Sequence, residues 1–217
     1  MLQDSWNEST LVKAAQKGSL DAFNALVLHY QTRVFNLAGY ILKDDAAADD
    51  AAQEAFIRAY QNLDTFKGGS FQAWLLRTVS NLCYDELRRH KRRPTTSWED
   101  FGEMEQEANP HLADRSPTPE QILQHAELRD LLDKGLHELP VDQRLVIVLI
   151  DEMDCTYEEV MHITKAPLGT VKSRLYRARA HMRGFMQLQS EILPSHYLNQ
   201  TEKESEISRA VPELACA

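Results

Sequence analysis

The chain has 217 residues, of which 43% are hydrophobic and 26% charged, with few glycines and prolines. This composition is typical of a soluble, helix-rich globular protein and excludes wholly disordered or collagen-like chains. No apolar stretch approaches the ~20 residues of a membrane-spanning helix, and the N-terminus lacks the features of a signal peptide, so we expect a cytoplasmic protein. Cys83, Cys155 and Cys216 form no CxxC pair, and the histidines show no ligand spacing with them, so we expect neither disulfides nor a metal site.

The charges are unevenly distributed along the chain. The net charge of −9 taken alone argues against nucleic acid as a partner. However, six Lys and Arg residues lie between Arg77 and Arg93, and six more lie between Lys165 and Arg183, where there is no acidic residue. Acidic residues concentrate instead in 44–54, in 99–107 and after 187. This segregation predicts separate partners for separate surfaces.

Two helices are predicted in the N-terminal part. Apolar residues spaced by threes and fours predict a helix over 21–43, which we expect to open at Asp21. A second helix over about 46–63 places its apolar residues on one side. The polar residues left available to solvent or a partner are Asp49, Asp50, Gln53 and Arg58.

A third helix is predicted to begin at Phe71 and to end at Pro94. Phe71 and Trp74 share its apolar stripe, which favours core packing over base stacking for both. Residues 94–119 are rich in proline, serine, threonine and acids, which predicts a linker. The acidic tail, 187–217, is expected to be poorly ordered.

Helical patterning resumes over 120–139 and again over 141–151. By residue type alone, the apolar run 145–150 could form a buried strand. We favour a helix, because the neighbouring segments are helical in pattern and the sequence offers no second strand to pair with this one.

A helix-turn-helix is predicted near the C-terminus. Thr156 and Glu159 have the spacing of a capping box, which starts a helix. That helix breaks around 164–166, and Pro167 suits the first turn of the next one. The apolar stripe of this second helix comprises Val171, Leu175, Ala178 and Met182. Its opposite face comprises Gly169, Thr170, Ser173, Tyr176, Arg177 and Ala180, with Lys172, Arg174, Arg179 and Arg183 on the flanks.

Such a helix suits the DNA major groove. Small or hydrogen-bonding residues can reach base edges, and the flanking cations can meet phosphates. Ser173 and Arg177 are the best candidates for reading bases. A solvated basic face is the alternative, but the capping box, the turn and the absence of acids favour DNA binding.

The segments 156–160 and 167–179 closely resemble the C-terminal helix-turn-helix of extracytoplasmic-function (ECF) sigma factors. Residues 49–59 resemble the polymerase-binding helix of that family, and 71–89 resemble its promoter-melting segment. The resemblance implies an all-α protein with two small helical domains joined by a flexible acidic linker. The expected parts are an N-terminal sigma domain (1–93), the linker (94–119), a C-terminal sigma domain with the helix-turn-helix (120–186) and the tail (187–217).

The family implies a role for each surface. One face would bind the clamp coiled coil of core RNA polymerase through Asp49, Asp50, Gln53, Glu54, Phe56 and Arg58. The helix-turn-helix would contact the polymerase flap and read the double-stranded −35 element through Thr170, Lys172, Ser173, Arg174, Arg177 and Arg179. The third helix would recognise and melt the −10 element through Trp74, Arg77, Asn81, Asp85, Arg88, Arg89, Arg92 and Arg93, with Asn81 capturing a base flipped from the single strand.

The family also implies an anti-sigma factor as a partner, which can hold the protein at the inner face of the membrane. It implies no cofactor, no metal, no small-molecule substrate and no enzymatic activity. Two positions depart from the family pattern: Met161 stands where a small residue is usual, and Lys165 stands in the turn where glycine is frequent. The turn geometry is therefore expected to differ slightly, with the motif kept.

Two other classes of function are alternatives to a sigma factor. A free-standing helix-turn-helix regulator would not explain the 49–58 segment or the basic island after Trp74. A sigma-like mimic that binds only an anti-sigma factor is expected to lose the cations at Arg174 and Arg177, and both are present.

Overall fold

The computed structural model describes residues 7–92 and 119–189. Within these ranges the regular structure is entirely helical, which confirms the predicted all-α class. The helices are α1 (Glu8–Gln16), α2 (Leu20–Leu42), α3 (Asp45–Gln61), α4 (Phe71–Arg92), α5 (Pro119–Glu138), α6 (Val141–Ile147), α7 (Tyr157–Thr164) and α8 (Leu168–Leu188). None of these helices is long and apolar enough to cross a membrane. The predicted linker, apart from its last residue, and most of the predicted tail lie outside the described residues.

The described residues form two compact units. The first contains 7–92 together with 139–178, and the second contains 119–138 together with 179–189. α8 contributes its first half to the first unit and its second half to the second unit. The predicted N-terminal bundle and the predicted helix-turn-helix thus share one compact unit.

Side-chain caps set where α2 and α3 begin. The Ser19 hydroxyl accepts the backbone N–H of Ala22 at 3.3 Å, so α2 begins at Leu20 and the expected opening at Asp21 is wrong. Asp21 lies instead in the first turn, where its charge complements the helix dipole. The Asp44 carboxylate caps α3 in the same way. α3 ends at Gln61, two residues before the predicted end, and a short 3₁₀ turn follows.

The N-terminal bundle packs α2 against α3 and α4 around a continuous apolar core. Its most deeply buried large side chains are Leu26, Val34, Leu37, Ile41, Phe71, Leu75, Leu76 and Val79. The Phe71 ring meets Tyr30, Phe66 and Trp74 at centroid distances of 5.6–5.7 Å. Burying a side chain such as Phe71 contributes about 1.5–3 kcal/mol. Trp74 is half-buried in the same cluster, in agreement with the prediction that both rings pack in the core.

The apolar run after Pro140 is helical, as favoured over a strand. Arg144 to Leu149 are all buried. α6 widens at its end into a π-helical turn, Val148–Glu152. The N–H of Met153 donates to the Val148 carbonyl at 3.1 Å, which is the bond across five residues that defines this turn.

In the second unit, α5 and the end of α8 approach closely at Gly135. A Cβ atom at this position would lie 2.8 Å from Phe185 Cδ1 and 3.0 Å from the terminal methyl of Met182. Any larger residue would therefore push the two α8 side chains aside. The Glu138 carboxylate and His181 lie 3.4 Å apart across the same pair of helices.

Candidate nucleic-acid and polymerase interfaces

α7 begins at the capping box predicted from sequence. The N–H of Glu159 donates to the Thr156 hydroxyl at 3.3 Å, and the N–H of Thr156 donates to the Glu159 carboxylate at 2.8 Å. Burial raises the pKa of Glu159, but hydrogen bonds from Ser70 and Thr156 outweigh it, so the pKa lies below its ordinary value of 4.5. The carboxylate is therefore charged at neutral pH, where it stabilises the N-terminus of the helix.

The turn between α7 and α8 has the geometry that glycine often supplies, although Lys165 occupies it. Lys165 has a φ of 54°, which is left-handed backbone, and its side chain is exposed. The Pro167 carbonyl then accepts the N–H groups of Thr170 and Val171, so α8 begins one residue later, at Leu168. The helix-turn-helix is thus kept with lysine in the turn, as expected.

α8 presents two faces, as its periodicity predicts. Val171, Leu175, Ala178 and Met182 are all at most 9% exposed. On the opposite side, Arg177 is exposed and the neighbouring Tyr176 ring is 76% exposed. Ser173 is half-buried and donates to the Thr170 carbonyl at 3.0 Å, which leaves its oxygen lone pairs available as acceptors.

Among the flanking cations, Arg174 differs from the others. Lys172 is exposed and lies 6.0 Å from the centre of the Tyr157 ring, a distance at which a cation–π attraction still acts. Arg179 and Arg183 are also exposed. Arg174 is half-buried and forms a 2.5 Å ion pair with Asp142 at the start of α6. The Arg174 guanidinium therefore pairs with a carboxylate of the same chain, whereas its predicted role is a contact with a DNA phosphate.

α4 brings most of the residues predicted for the −10 element onto one stripe. Spacings of three and four residues in a continuous helix place them on one face. The stripe comprises Trp74, Arg77, Asn81, Asp85, Arg88 and Arg92. Arg89 lies beside it, and Arg93 lies outside the described residues. Asn81, Arg88 and Arg92 are exposed, whereas Trp74 and Arg77 are half-buried.

Ion pairs join neighbouring side chains along the basic end of α4. Arg88 pairs with Asp85 at 3.2 Å and Arg89 with Glu86 at 2.6 Å, each three residues apart on the helix. Both arginines are exposed, although Glu86 is half-buried. Surface pairs contribute about 0–1 kcal/mol, so a nucleic-acid phosphate can displace them at small cost.

On α3, the residues predicted to meet the polymerase lie mostly at the surface. Asp49, Asp50, Gln53 and Arg58 are exposed, and Glu54 and Phe56 are half-buried. Two apolar residues that were not predicted from sequence lie among them, Ile57 at 51% exposure and Tyr60 at 45%. An apolar side chain within a charged helix face is the signal that could have identified them.

Several residues that join the N-terminal bundle to the helix-turn-helix part of the same unit were also missed. The Tyr84 hydroxyl donates to Asp142 at 3.1 Å, and the Gln72 amide donates to the Met153 carbonyl at 2.9 Å. Arg144, only 2% exposed, donates to the carbonyls of Tyr40 and Leu139, both at 2.8 Å. A cation directly before the apolar run 145–150 is the signal for Arg144. Tyr84 and Gln72 leave no sequence signal, because their contacts span 58 and 81 residues.

Two buried thiols complete the chemistry of the first unit. Cys83 and Cys155 are free and buried. Burial raises the pKa of Cys83 to about 12 and that of Cys155 to about 11. Both remain protonated thiols at neutral pH, so neither is an activated nucleophile. Among the described residues, no cluster of three or more His, Cys, Asp or Glu side chains could hold a metal ion.

Comparison with known proteins agrees with this arrangement. The Sigma-70 region 2 family matches residues 26–93, and the Sigma-70 region 4 family matches residues 129–182. The ECF RNA polymerase sigma-E factor of Escherichia coli K12 is 37% identical over 180 residues, which cover 82% of this chain and 93% of that protein. The RNA polymerase sigma-H factor of Pseudomonas aeruginosa is 34% identical over 79% of this chain and 90% of that protein.

Solved structures show the same fold. The sigma factor RpoE, solved in complex with the anti-sigma factor NepR from Bartonella quintana, superposes with a TM-score of 0.59 at 24% identity and covers 77% of this chain and 98% of its own. CnrH, solved in complex with the cytosolic domain of CnrY, gives 0.58 at 23% identity, over 83% and 97%.

A region 2 followed by a region 4, the latter carrying a helix-turn-helix, defines the Sigma-70 class of transcription initiation factors. Within that class, the identity to full-length sigma-E factors shows that the chain belongs to the ECF family of RNA polymerase sigma factors.

Proposed function

We propose that this sigma factor reads promoters with two separate surfaces and acts by binding alone, without catalysing a reaction. The N-terminal part, 1–93, would bind core polymerase and the −10 element. The C-terminal part, 120–186, would bind the −35 element, and 94–119 would link them.

The geometry of α8 carries the proposal. One face of the helix is buried in the protein, and the opposite face exposes Lys172, Tyr176 and Arg177. A helix with this exposed face fits the width of the major groove. We assign Arg177 and Ser173 to base edges, and we assign Thr170, Lys172, Arg174 and Arg179 to the DNA backbone.

The α4 stripe supports a role at the −10 element. Asn81 is exposed at its centre, and arginines follow on the same face toward the end of the helix. We assign Asn81 to a flipped base, Trp74, Arg77 and Asp85 to the walls of its site, and the four arginines 88, 89, 92 and 93 to phosphates. Unstacking a base costs a few kcal/mol, which the pocket and the cations can offset without nucleotide hydrolysis.

The exposed face of α3 is proposed to dock on the clamp coiled coil of the large polymerase subunit. Ile57 and Tyr60 add apolar surface among the charged and polar residues 49–58. An apolar patch rimmed by charge is typical of a protein-binding surface.

We also propose control by an anti-sigma factor, in the cytoplasm or at the inner face of the membrane. One solved protein that shares this fold, RpoE, is in complex with the anti-sigma factor NepR, and another, CnrH, is in complex with the cytosolic domain of CnrY. A helical chain that presents two nucleic-acid surfaces offers such a partner a way to block both.

Reconstitution with core RNA polymerase tests the proposal. The wild-type chain is mixed with core enzyme and a pool of promoter sequences, transcribed templates are selected, and DNA opening is followed by permanganate reactivity of unpaired thymines. We expect Arg177→Ala and Asn81→Ala to reduce opening on the selected promoters. Lys13→Ala, which removes an exposed cation on α1, is the matched control and should act as wild type.

Two outcomes would contradict the proposal. A chain that binds duplex DNA alone and never associates with core enzyme would act as a free-standing regulator. A chain that binds core enzyme and opens promoters equally well with both substitutions would not divide recognition between α4 and α8.

A further inference from the structure

The first and last residues of α1 hold the segment that connects α3 to α4. The Gln16 amide nitrogen donates to the Leu63 carbonyl at 3.0 Å and to the Phe66 carbonyl at 2.9 Å. The Glu8 carboxylate accepts the backbone N–H of Phe71 at 3.2 Å, where α4 begins. α1 therefore fixes the backbone at both ends of the connecting segment.

The residues between these two ends have few contacts of their own. Lys67, Gly68 and Gly69 are exposed, and both glycines have left-handed backbone, with φ of 106° and 92°. Among the described residues, nothing lies within 4 Å of where a Cβ atom would stand at either glycine. Exposed glycines with few contacts belong to the least stable parts of a fold. The positions of Phe66 and Phe71 therefore depend on restraints outside this stretch, among them the hydrogen bonds from α1.

The two phenylalanines that α1 holds pack against Trp74. The centroid of the Trp74 ring lies 5.6 Å from that of Phe66 and 5.6 Å from that of Phe71, and the two phenylalanine rings are 5.7 Å apart. Trp74 is half-buried, so part of its indole remains accessible. Because packed rings transmit displacements to one another, a shift of either phenylalanine moves the indole.

The polar groups of Gln16 and Glu8 are used within the protein. An amide nitrogen carries two N–H groups, and the two of Gln16 donate to the two backbone carbonyls. Each Glu8 oxygen accepts one hydrogen bond, from the Phe71 N–H and from the Tyr30 hydroxyl. Both side chains thus act on the bundle, and any effect on DNA passes through the residues that they hold.

We propose that Gln16 and Glu8 are positioning residues of the −10 site, where they keep the Trp74 indole in the place that a flipped base requires. They act through the two phenylalanine rings. The inference rests on the proposed role of Trp74 in the wall of that site. It extends the −10 site to α1, a helix with no assigned contact to DNA.

The first test follows the Trp74 indole in the free chain. Trp6→Phe and Trp98→Phe leave Trp74 as the one tryptophan of the sequence. Gln16→Met keeps the length and unbranched shape of the side chain and removes both donors. We expect a higher constant for fluorescence quenching by acrylamide, because a less restrained indole is more open to solvent. Glu8→Ala, which removes the acceptor at the start of α4, should raise the constant as well.

A loss of stability anywhere in the bundle is the competing explanation, so Ile41→Val is the matched control. Ile41 is 1% exposed, and its truncation leaves a small cavity in the same bundle. It lies about 16 Å along α2 from Tyr30, whose ring contacts Phe71. Urea denaturation measures the stability of both variants, and quenching is compared in buffer, where both are folded. Equal quenching constants in Gln16→Met and Ile41→Val would overturn the inference.

The second test uses the holoenzyme on promoters selected by reconstitution. Gln16→Met should reduce the amount of open complex by about fivefold, the factor that one ordinary hydrogen bond is worth, and leave the closed complex unchanged. Trp74→Leu should reduce the open complex by itself. Because Gln16 acts through Trp74, Gln16→Met should cause no further loss when Trp74→Leu is already present; effects on one shared contact do not add.

The outcomes separate the inference from the proposed function. A full additional loss in the double variant, or wild-type opening by Gln16→Met alone, would overturn the inference. A defect in Trp74→Leu would leave the proposed function in place in either case. Wild-type opening by Trp74→Leu would instead contradict the proposed role of Trp74, and the inference with it.

Discussion

The backbone N–H of Phe71, the first residue of α4, donates a 3.2 Å hydrogen bond to the Glu8 carboxylate on α1. The other oxygen of the same carboxylate accepts the Tyr30 hydroxyl from α2. Burial and this hydrogen bond raise the pKa of Tyr30. One side chain thereby joins three helices and satisfies an N–H at the start of the helix that carries the −10 residues.

Replacing Glu8 should therefore destabilise the bundle. For Glu8→Ala we expect a loss of about 1–3 kcal/mol in the free energy of unfolding, measured by urea denaturation, because a charged acceptor and a helix cap are lost together. Glu54→Ala, which breaks the exposed pair with Arg58, is the control and should lose no more than about 0.5 kcal/mol. Equal losses in the two variants would mean that the Glu8 contacts stabilise the bundle no more than the exposed pair between Glu54 and Arg58.

The capping box on α7 predicts a pH dependence. The folded-state pKa of Glu159 lies below its ordinary value of 4.5, so its contribution is fully present above pH 4.5 and is lost as the pH falls through the lower folded pKa. The stability difference between wild type and Glu159→Gln should therefore shrink on acidification. Urea denaturation of both proteins between about pH 3 and 7 measures this. A difference that stays constant with pH would exclude the charge as its source.

The left-handed turn predicts a stabilising substitution. Lys165 has a φ of 54°, a conformation that costs a residue with a Cβ about 1 kcal/mol. Lys165→Gly should raise the free energy of unfolding by about 0.5–1 kcal/mol, read from the denaturation midpoint. Lys13→Gly, in the right-handed interior of α1, should lower it by about 1 kcal/mol. A loss of stability at both positions would show that the Lys165 side chain makes a contact whose stabilisation exceeds the cost of its left-handed backbone.

The helix-turn-helix was predictable from sequence because its signals are local. A capping box, a turn and a buried stripe of four residues all lie within 27 positions, 156–182, and periodicity alone predicts which face is exposed. The hydrogen bonds of Asp142, Tyr84 and Arg144 were not predictable, because these residues meet partners from other helices. Nothing in the periodicity of α4 distinguishes Tyr84, which bonds Asp142, from an ordinary half-buried aromatic residue. The exact start of α2 was missed because Ser19 precedes the apolar pattern and acts only through its hydroxyl.

Arg177 and Lys172 should respond differently to substitution. Arg177→Ala should cost about 1–3 kcal/mol of discrimination between −35 sequences, since a base contact is lost. Lys172→Ala should weaken binding evenly across sequences and reduce the slope of log affinity against log salt by about one. Binding titrations of the holoenzyme on matched and mutated −35 duplexes, at several salt concentrations, separate the two effects. An unchanged sequence preference in Arg177→Ala would remove this residue from base reading.

Asn81 is the position where the binding and melting roles of α4 can be separated. Its side chain is exposed at the centre of the stripe. We assign it to a flipped base, which it can contact only after the two DNA strands have separated. Asn81→Ala should therefore leave the closed promoter complex nearly intact. It should reduce the amount of open complex by about tenfold or more, because contacts to the flipped base offset an unstacking cost of a few kcal/mol. Gel-shift titration at low temperature measures the first, and permanganate reactivity at higher temperature measures the second. Arg88→Ala, about two turns further along the same face, is the comparison. A lost phosphate contact should weaken both complexes and flatten their salt dependence. Equal loss of closed and open complexes in Asn81→Ala would place this residue among the backbone contacts and refute base capture.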